Sequence, residues 1–188
     1  MDYGGSLMPI RAIVKAPAPE LNPTAASLLG FLFSGPQSGY ELAAVIEDSI
    51  GQFWNVTRSQ IYRELRALEE AGYVRVGKAG ARERRPYTIT AAGRKAFDAW
   101  LARGPGDETV RIPLLLTVFF GERLPREQLA RILRANRAKH EALLAEYRAW
   151  LPFAERQHPF PAKVGRFGVM HEEMILAWYD SLEKDGLL

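Results

Sequence analysis

Hydrophobic positions divide this chain into blocks of different period. Leu28, Leu29 and Leu32 centre a short apolar helix over Ala25 to Phe33, announced by Asn22-Pro23-Thr24 and broken by Ser34-Gly35-Pro36-Gln37. Leu42, Val45, Ile46 and Ile50 share one face of a second helix, which Ser38-Gly39-Tyr40-Glu41 opens as a capping box and Gly51 ends. Ile61, Leu65 and Leu68 follow i, i+4, i+7 spacing in a third helix, about four turns long. Thr57-Arg58-Ser59-Gln60 opens it with a second capping box, and Gly72 supplies the C′ position that stops it. The period then changes to two: Tyr73-Val74-Arg75-Val76 and Pro86-Tyr87-Thr88-Ile89-Thr90 flank a glycine-containing basic tip and read as a hairpin. A fourth helix, capped by Thr90, carries Phe97, Trp100 and Leu101 at i, i+3, i+4. The predicted order is α-α-α-β-β-α, a winged helix-turn-helix.

Beyond Gly104-Pro105-Gly106-Asp107 the pattern is helical throughout. Ile112 to Phe120, with Pro113 near its start and Gly121 after it, reads as one buried helix. A longer helix opens at Pro125, in which Leu129, Leu133, Asn136, His140, Leu143, Tyr147 and Trp150 form a heptad seam. Pro152, Pro159 and Pro161 punctuate a turn, and a final helix from Lys163 presents Phe167, His171, Met174, Trp178 and Leu182. The two seams can pair within the chain or across a two-fold axis. The fold class expected is mainly α with a small β-ribbon: a winged helix-turn-helix followed by an all-helical dimerisation domain. Its divisions are a flexible N-terminal arm (1–21), the DNA-binding module (22–103), a linker (104–109) and a helical dimerisation and effector domain (110–188).

Composition narrows the chemistry. The chain has 188 residues, 47% of them hydrophobic, which suits one domain or two small ones with a packed core. With no cysteine there is no disulfide framework, thiolate nucleophile or thiolate metal site, in keeping with a reducing cytoplasm. The longest apolar run falls well short of the roughly 20 residues a membrane span needs, and nothing at the N-terminus resembles a signal peptide, so no membrane partner is expected. Enzyme motifs are missing too. There is no Gly-x-Ser-x-Gly elbow and no phosphate-binding Gly-Lys-Ser/Thr loop, and His171-Glu172-Glu173-Met174-Ile175 has isoleucine where a zinc protease needs its second histidine. Neither a catalytic site, a metal nor a cofactor is expected. His140 and His171 on the seams read as core histidines rather than metal ligands or a pH switch.

Charge points elsewhere. Net charge is +3, and residues 24–103 account for all of it, with eleven Lys and Arg against eight Asp and Glu. An excess confined to the helix-and-ribbon region is a weak electrostatic footprint of a nucleic-acid interface. With Ile61 as the buried reference, Ser59, Arg63 and Arg66 come out opposite the Ile/Leu stripe, within the first half of the helix, where a recognition helix puts its base-reading side chains. Arginine suits that role because its planar fork donates two parallel hydrogen bonds to guanine O6 and N7; Ser59 and Gln60 can reach bases or phosphates. Singly, each is an ordinary solvated helix residue. The ribbon tip changes the weighting, since it sets Lys78, Arg82, Arg84 and Arg85 against Glu83 alone, a composition suited to a duplex backbone or minor groove.

These residues resemble the PadR-type transcriptional regulators, named for repressors that respond to phenolic acids. The resemblance is carried by Gly39-Tyr40-Glu41-Leu42, by Ile61-Tyr62-Arg63-Glu64-Leu65 running on to Leu68-Glu69-Glu70-Ala71-Gly72-Tyr73-Val74, and by Arg85-Pro86-Tyr87-Thr88-Ile89-Thr90 with Gly93 after it. It covers residues 24–103, and the helical remainder is similar to the larger subgroup with an extended C-terminal domain. What it implies is repression, with Tyr40, Ser59, Tyr62 and Arg63 as the DNA-facing residues. The position after Tyr62 is often proline in such proteins, so the base that Arg63 meets does not carry over.

The function expected is a sequence-specific, ligand-responsive DNA-binding regulator. Its partners are double-stranded DNA and a second copy of itself, because one helix-turn-helix makes few contacts and the seams leave apolar surface unassigned; the operator would be palindromic. The contact set is Tyr40, Thr57, Arg58, Ser59, Gln60, Tyr62, Arg63, Arg66, Lys78, Arg82, Arg84 and Arg85. The rival is a winged helix used as a protein–protein module, its basic face meeting an acidic partner. Trp100, one turn beyond Phe97, has two readings: a platform for a flat aromatic or phenolic effector at the seam with the helical half, with Arg103 or Arg111 to hold a carboxylate, or plain core.

Overall fold

The computed structural model describes residues 20–78, 85–106 and 110–188. The expected arm up to residue 19, the ribbon-tip residues Arg82, Glu83 and Arg84, and residues 107–109 of the linker lie outside the described residues. The chain divides into two compact units, Met1–Asp107 and Glu108–Leu188.

In the first unit, α1 (Pro23–Phe31) starts two residues earlier than its apolar block, because Asn22 caps it and Pro23 occupies the first turn, where its missing N–H costs nothing. A single 3₁₀ turn, Leu32–Ser34, ends it. Next come α2 (Gly39–Ile50) and α3 (Arg58–Glu70), and both predicted capping boxes are formed. Ser38 Oγ accepts from Glu41 N at 3.3 Å while Ser38 N donates to the Glu41 carboxylate at 2.7 Å; Thr57 and Gln60 repeat the exchange at 3.3 and 2.9 Å. Strands β2 (Val74–Val76) and β3 (Pro86–Ile89) pair antiparallel, with Val74 opposite Ile89, and α4 (Ala91–Arg103) follows from its Thr90 cap.

The two-stranded ribbon is corrected to a three-stranded sheet, in which β3 lies between β2 and a further strand from the stretch before α2, and the element order becomes α-β-α-α-β-β-α. Residues Gln37–Ser38 form β1, set antiparallel on β3 with Gln37 opposite Tyr87. Two residues cannot show an alternation; only the edge offered by β3 makes them a strand. Leu28, Leu29, Leu32, Leu42, Ile46, Ile61, Leu65, Leu68 and Val74 share one core, rimmed by Phe97 and Trp100. Leu101, expected on the same face as these two, is exposed.

The second unit departs further from expectation. The Ile112 to Phe120 stretch is helical as α5 (Pro113–Phe119) but none of its residues is buried. Leu114 and Val118 lean on the local core, whereas Phe119 is 79% exposed, since a seven-residue helix covered along one side must leave its other apolar faces open. Helix α6 (Arg126–Gln157) does not stop at Pro152 but runs through it, and α7 (Pro159–Lys184) begins directly after His158, with Pro159 in its first turn. One missing N–H at exposed Pro152 is outweighed by packing on either side, where Leu144 and Ala154 are buried.

The face that α7 turns inward also differs. Gly165, Gly168, Glu172, Tyr179 and Leu182 are buried, while Phe167 and Met174 are 64% and 61% exposed. Glycine is what lets the helices close. A Cβ on Gly165 would stand 2.6 Å from the Trp150 ring, and one on Gly168 would stand 2.6 Å from the Tyr147 ring, so these two aromatics of the α6 seam pack onto bare backbone rather than onto the large residues of α7. Leu129 and Leu133 meet Tyr179 and Leu182 at the other end.

Candidate nucleic-acid interface

The surface predicted to read DNA is built outward from the buried stripe of α3. Ile61, Leu65 and Leu68 anchor the helix in the core, and Arg58, Ser59, Tyr62, Arg63 and Arg66 are left on its exposed side. Tyr62 does more than face outward. Its ring lies on Gly39 at the start of α2, where a Cβ would come within 2.6 Å of Cε1, so the glycine of the Gly39-Tyr40 pair is what allows α2 and α3 to approach. Tyr40 then falls beside the reading helix, its ring 5.4 Å from the Arg58 guanidinium, a cation–π distance. Thr57 and Gln60 are engaged with each other: the Gln60 carbonyl accepts from both the Thr57 N–H and its hydroxyl, each at 2.9 Å.

The ribbon joins this surface through Tyr87. Burial raises its phenol above the ordinary value, with Glu69 and Tyr62 pushing the same way and Arg66 and Arg85 pulling back. Glu69, Tyr62 and Arg66 of α3, and Arg85 just before β3, are thus within electrostatic reach of the Tyr87 phenol. Lys78 is exposed just beyond β2. The structure therefore brings together Tyr40, Arg58, Ser59, Tyr62, Arg63, Arg66, Lys78 and Arg85 on one module; Arg82 and Arg84 lie outside the described residues.

Two buried carboxylates were not singled out by the sequence reading. Glu64 lies under α3, where it accepts from Asn22 Nδ2 at 2.9 Å through Oε2 and from Arg63 Nη2 at 3.1 Å through Oε1. Glu172 lies between α6 and α7, bound to His140 Nδ1 at 2.5 Å and His171 Nδ1 at 3.2 Å. The signal for both was present, since each acidic residue falls on the apolar side of its helix: Glu64 three residues from Ile61 and four from Leu68, Glu172 seven from Tyr179. The two seam histidines are thus gathered on one carboxylate. Among the described residues, no group of three or more His, Asp or Glu is arranged to hold a metal ion.

Phe97 and Trp100, the expected effector platform, stack at 6.3 Å with 20° between their planes. They line a cleft of 530 Å³ together with Phe31, Ile50, Phe53 and Trp54, all within the first unit. Arg103 is already engaged, pairing with the Glu20 carboxylate and donating to the Leu21 carbonyl at 3.2 Å. Among the described residues no helix is long and apolar enough to cross a membrane.

Known proteins agree with this architecture along almost the whole chain. Residues 28–99 match the transcriptional regulator PadR-like family, and residues 110–185 match the family described as virulence activator alpha C-term. The negative transcriptional regulator PadR of Bacillus subtilis is 28% identical over 169 residues, covering 83% of this chain and 93% of that protein. Its crystal structure in complex with operator DNA matches with a TM-score of 0.71 at 26% identity, covering 86% of this chain and 96% of the other. The same protein in complex with p-coumaric acid matches at 0.63 with 25% identity, over 86% and 96% of the two chains. These relatives are regulators of transcription and not enzymes. With its winged module and its helical remainder each matched in turn, this chain carries a PadR-like transcriptional-regulator domain over residues 28–99, followed by a virulence-activator-type C-terminal region over residues 110–185.

Proposed function

We propose that this protein is a sequence-specific DNA-binding repressor that acts as a homodimer on a palindromic operator and releases it in response to a small aromatic effector. The observation that carries the DNA reading is the exposed group Arg58, Ser59, Arg63 and Arg66 on α3, with Tyr40 beside Arg58 and with Lys78 and Arg85 exposed next to β2 and β3. Arg58, Ser59 and Arg63 sit in the first half of the helix and Arg66 just past its middle, while the wing adds phosphate-seeking cations, which is how a recognition helix and its wing divide the work. Thr57 and Gln60, and the tip residues Arg82 and Arg84, complete the proposed contact set. The operator complex of the Bacillus relative supports the same use of the module. That relative's name, a negative regulator, favours repression over activation. Its place of action is the cytoplasm, where the duplex lies.

Support for a second copy comes from α7. Phe160, Val164, Phe167, Met170 and Met174 follow a helical period, and all are exposed, an apolar strip that a partner helix would cover. For the effector, the cleft beside Phe97 and Trp100 offers aromatic walls to a planar ring, and the p-coumaric acid complex of the relative points to a phenolic acid. The test is retardation of a promoter-length duplex at rising salt. Binding that weakens steeply with salt and shows a footprint of two half-sites about one helical turn apart is expected. Absence of any duplex binding at low salt would leave the module as a protein-binding one.

A further inference from the structure

We infer that Glu64 is a positioning residue for sequence reading: it holds the Arg63 guanidinium by one edge and leaves the opposite fork aimed outward. This rests on the DNA reading proposed above. Arg63 and Glu64 are neighbours in sequence with opposite surroundings, the arginine side chain being 69% exposed and the glutamate 12%. One carboxylate oxygen, Oε1, accepts from both Nε and Nη2 of Arg63, at 3.3 and 3.1 Å. A guanidinium has five N–H donors in a fixed plane, and this contact takes the side edge. The second Nη2 hydrogen and one on Nη1 remain as the end-on pair, which matches guanine O6 and N7.

The carboxylate is itself fixed. Its other oxygen, Oε2, accepts from Asn22 Nδ2 at 2.9 Å, while Asn22 Oδ1 caps α1 by accepting from Ala25 N at 2.8 Å. One amide therefore ties the start of α1 to the reading helix across 42 residues of sequence. Arg103, near the end of α4, grips the preceding turn through the Leu21 carbonyl. A free arginine must give up rotamer freedom on meeting a base; one held at its side edge has given it up in advance. The buried carboxylate needs its partners as well, because a desolvated charge without donors is costly.

The experiment selects the preferred sequence of the wild-type full-length chain from a random-sequence duplex library, then measures affinities for every single-base variant of that sequence and for an unrelated duplex. Arg63→Ala is expected to lose discrimination at one base pair by about 5- to 150-fold. Glu64→Gln should lose about tenfold at that same base pair, the order of one charge-assisted hydrogen bond, and leave the unrelated duplex bound equally or more tightly. Asn22→Ser keeps a cap for α1 but removes the donor to Glu64, and should lose discrimination at the same position. In the Arg63→Ala background neither change should have any further effect on discrimination.

The outcomes separate cleanly. If wild type selects no preferred sequence, the DNA reading itself fails. If wild type and Arg63→Ala behave as described but Glu64→Gln and Asn22→Ser discriminate like wild type, the positioning role is wrong. A loss that is equal on specific and unrelated DNA and tracks a lowered melting temperature would mark Glu64 as structural only. Tighter binding of all duplexes with discrimination unchanged would mean that Glu64 masks Arg63 rather than presenting it.

Discussion

The two units of this chain treat their apolar residues in opposite ways. In the winged module, the leucines and isoleucines that periodicity selects on α1, α2 and α3 enter one shared core, and what stays outside α3 is polar or charged, apart from Tyr62 and Ala67. In the helical unit, α7 turns glycines inward and holds Phe167 and Met174 outward, and α5 exposes most of its bulk. A module whose leucine and isoleucine stripes meet internally keeps a charged surface on α3. A hairpin that closes on glycine and leaves aromatic and methionine side chains in water has surface suited to another chain. The same kind of apolar period thus closes a core on α1, α2 and α3 and leaves an exposed strip on α7, the strip on which the proposed second copy would sit.

The largest expected effect breaks that contrast at α7. Phe167→Asp combined with Met174→Asp should convert the proposed dimer to a monomer in sedimentation at micromolar concentration, while the unfolding of the hairpin changes little, since exposed positions usually shift stability by about 0.5 kcal/mol or less. If the pair unfolds the chain instead, the strip belongs to an interior. Next in size is the winged core. Leu65 is fully buried, and Leu65→Ala should cost about 2 to 5 kcal/mol in denaturant unfolding. A cost near that of an exposed substitution would mean that the module does not close its own core. The smallest effect is at Tyr179, whose hydroxyl is buried with no hydrogen-bond partner among the described residues and whose pKa burial raises. Tyr179→Phe should be neutral or stabilising by less than about 1 kcal/mol, because it removes an unsatisfied group and keeps the ring. A clear loss of stability by calorimetry would show that the hydroxyl is paired in solution.

What could be read from the sequence was whatever is encoded within one or two helical turns. The Ser38–Glu41 and Thr57–Gln60 boxes, the Gly72 stop at a φ of 73°, the Ile61-Leu65-Leu68 stripe and the α6 and α7 helices all depend on residues three or four apart. The exposed side of α3 followed from the same arithmetic. Local propensity and periodicity act before any distant contact is made, so one chain in hand is enough to read them.

Only the tertiary structure decided the rest. Gln37–Ser38 became a strand because β3 offered an edge; α6 passed through Pro152 because α7 held it; and α7 chose its glycine face because Trp150 and Tyr147 needed room. Glu64 reads as one more charge on a charged helix until Asn22 arrives beside it. Each of these outcomes is set by the shape and donors of a partner surface far along the chain, and no local period carries that information.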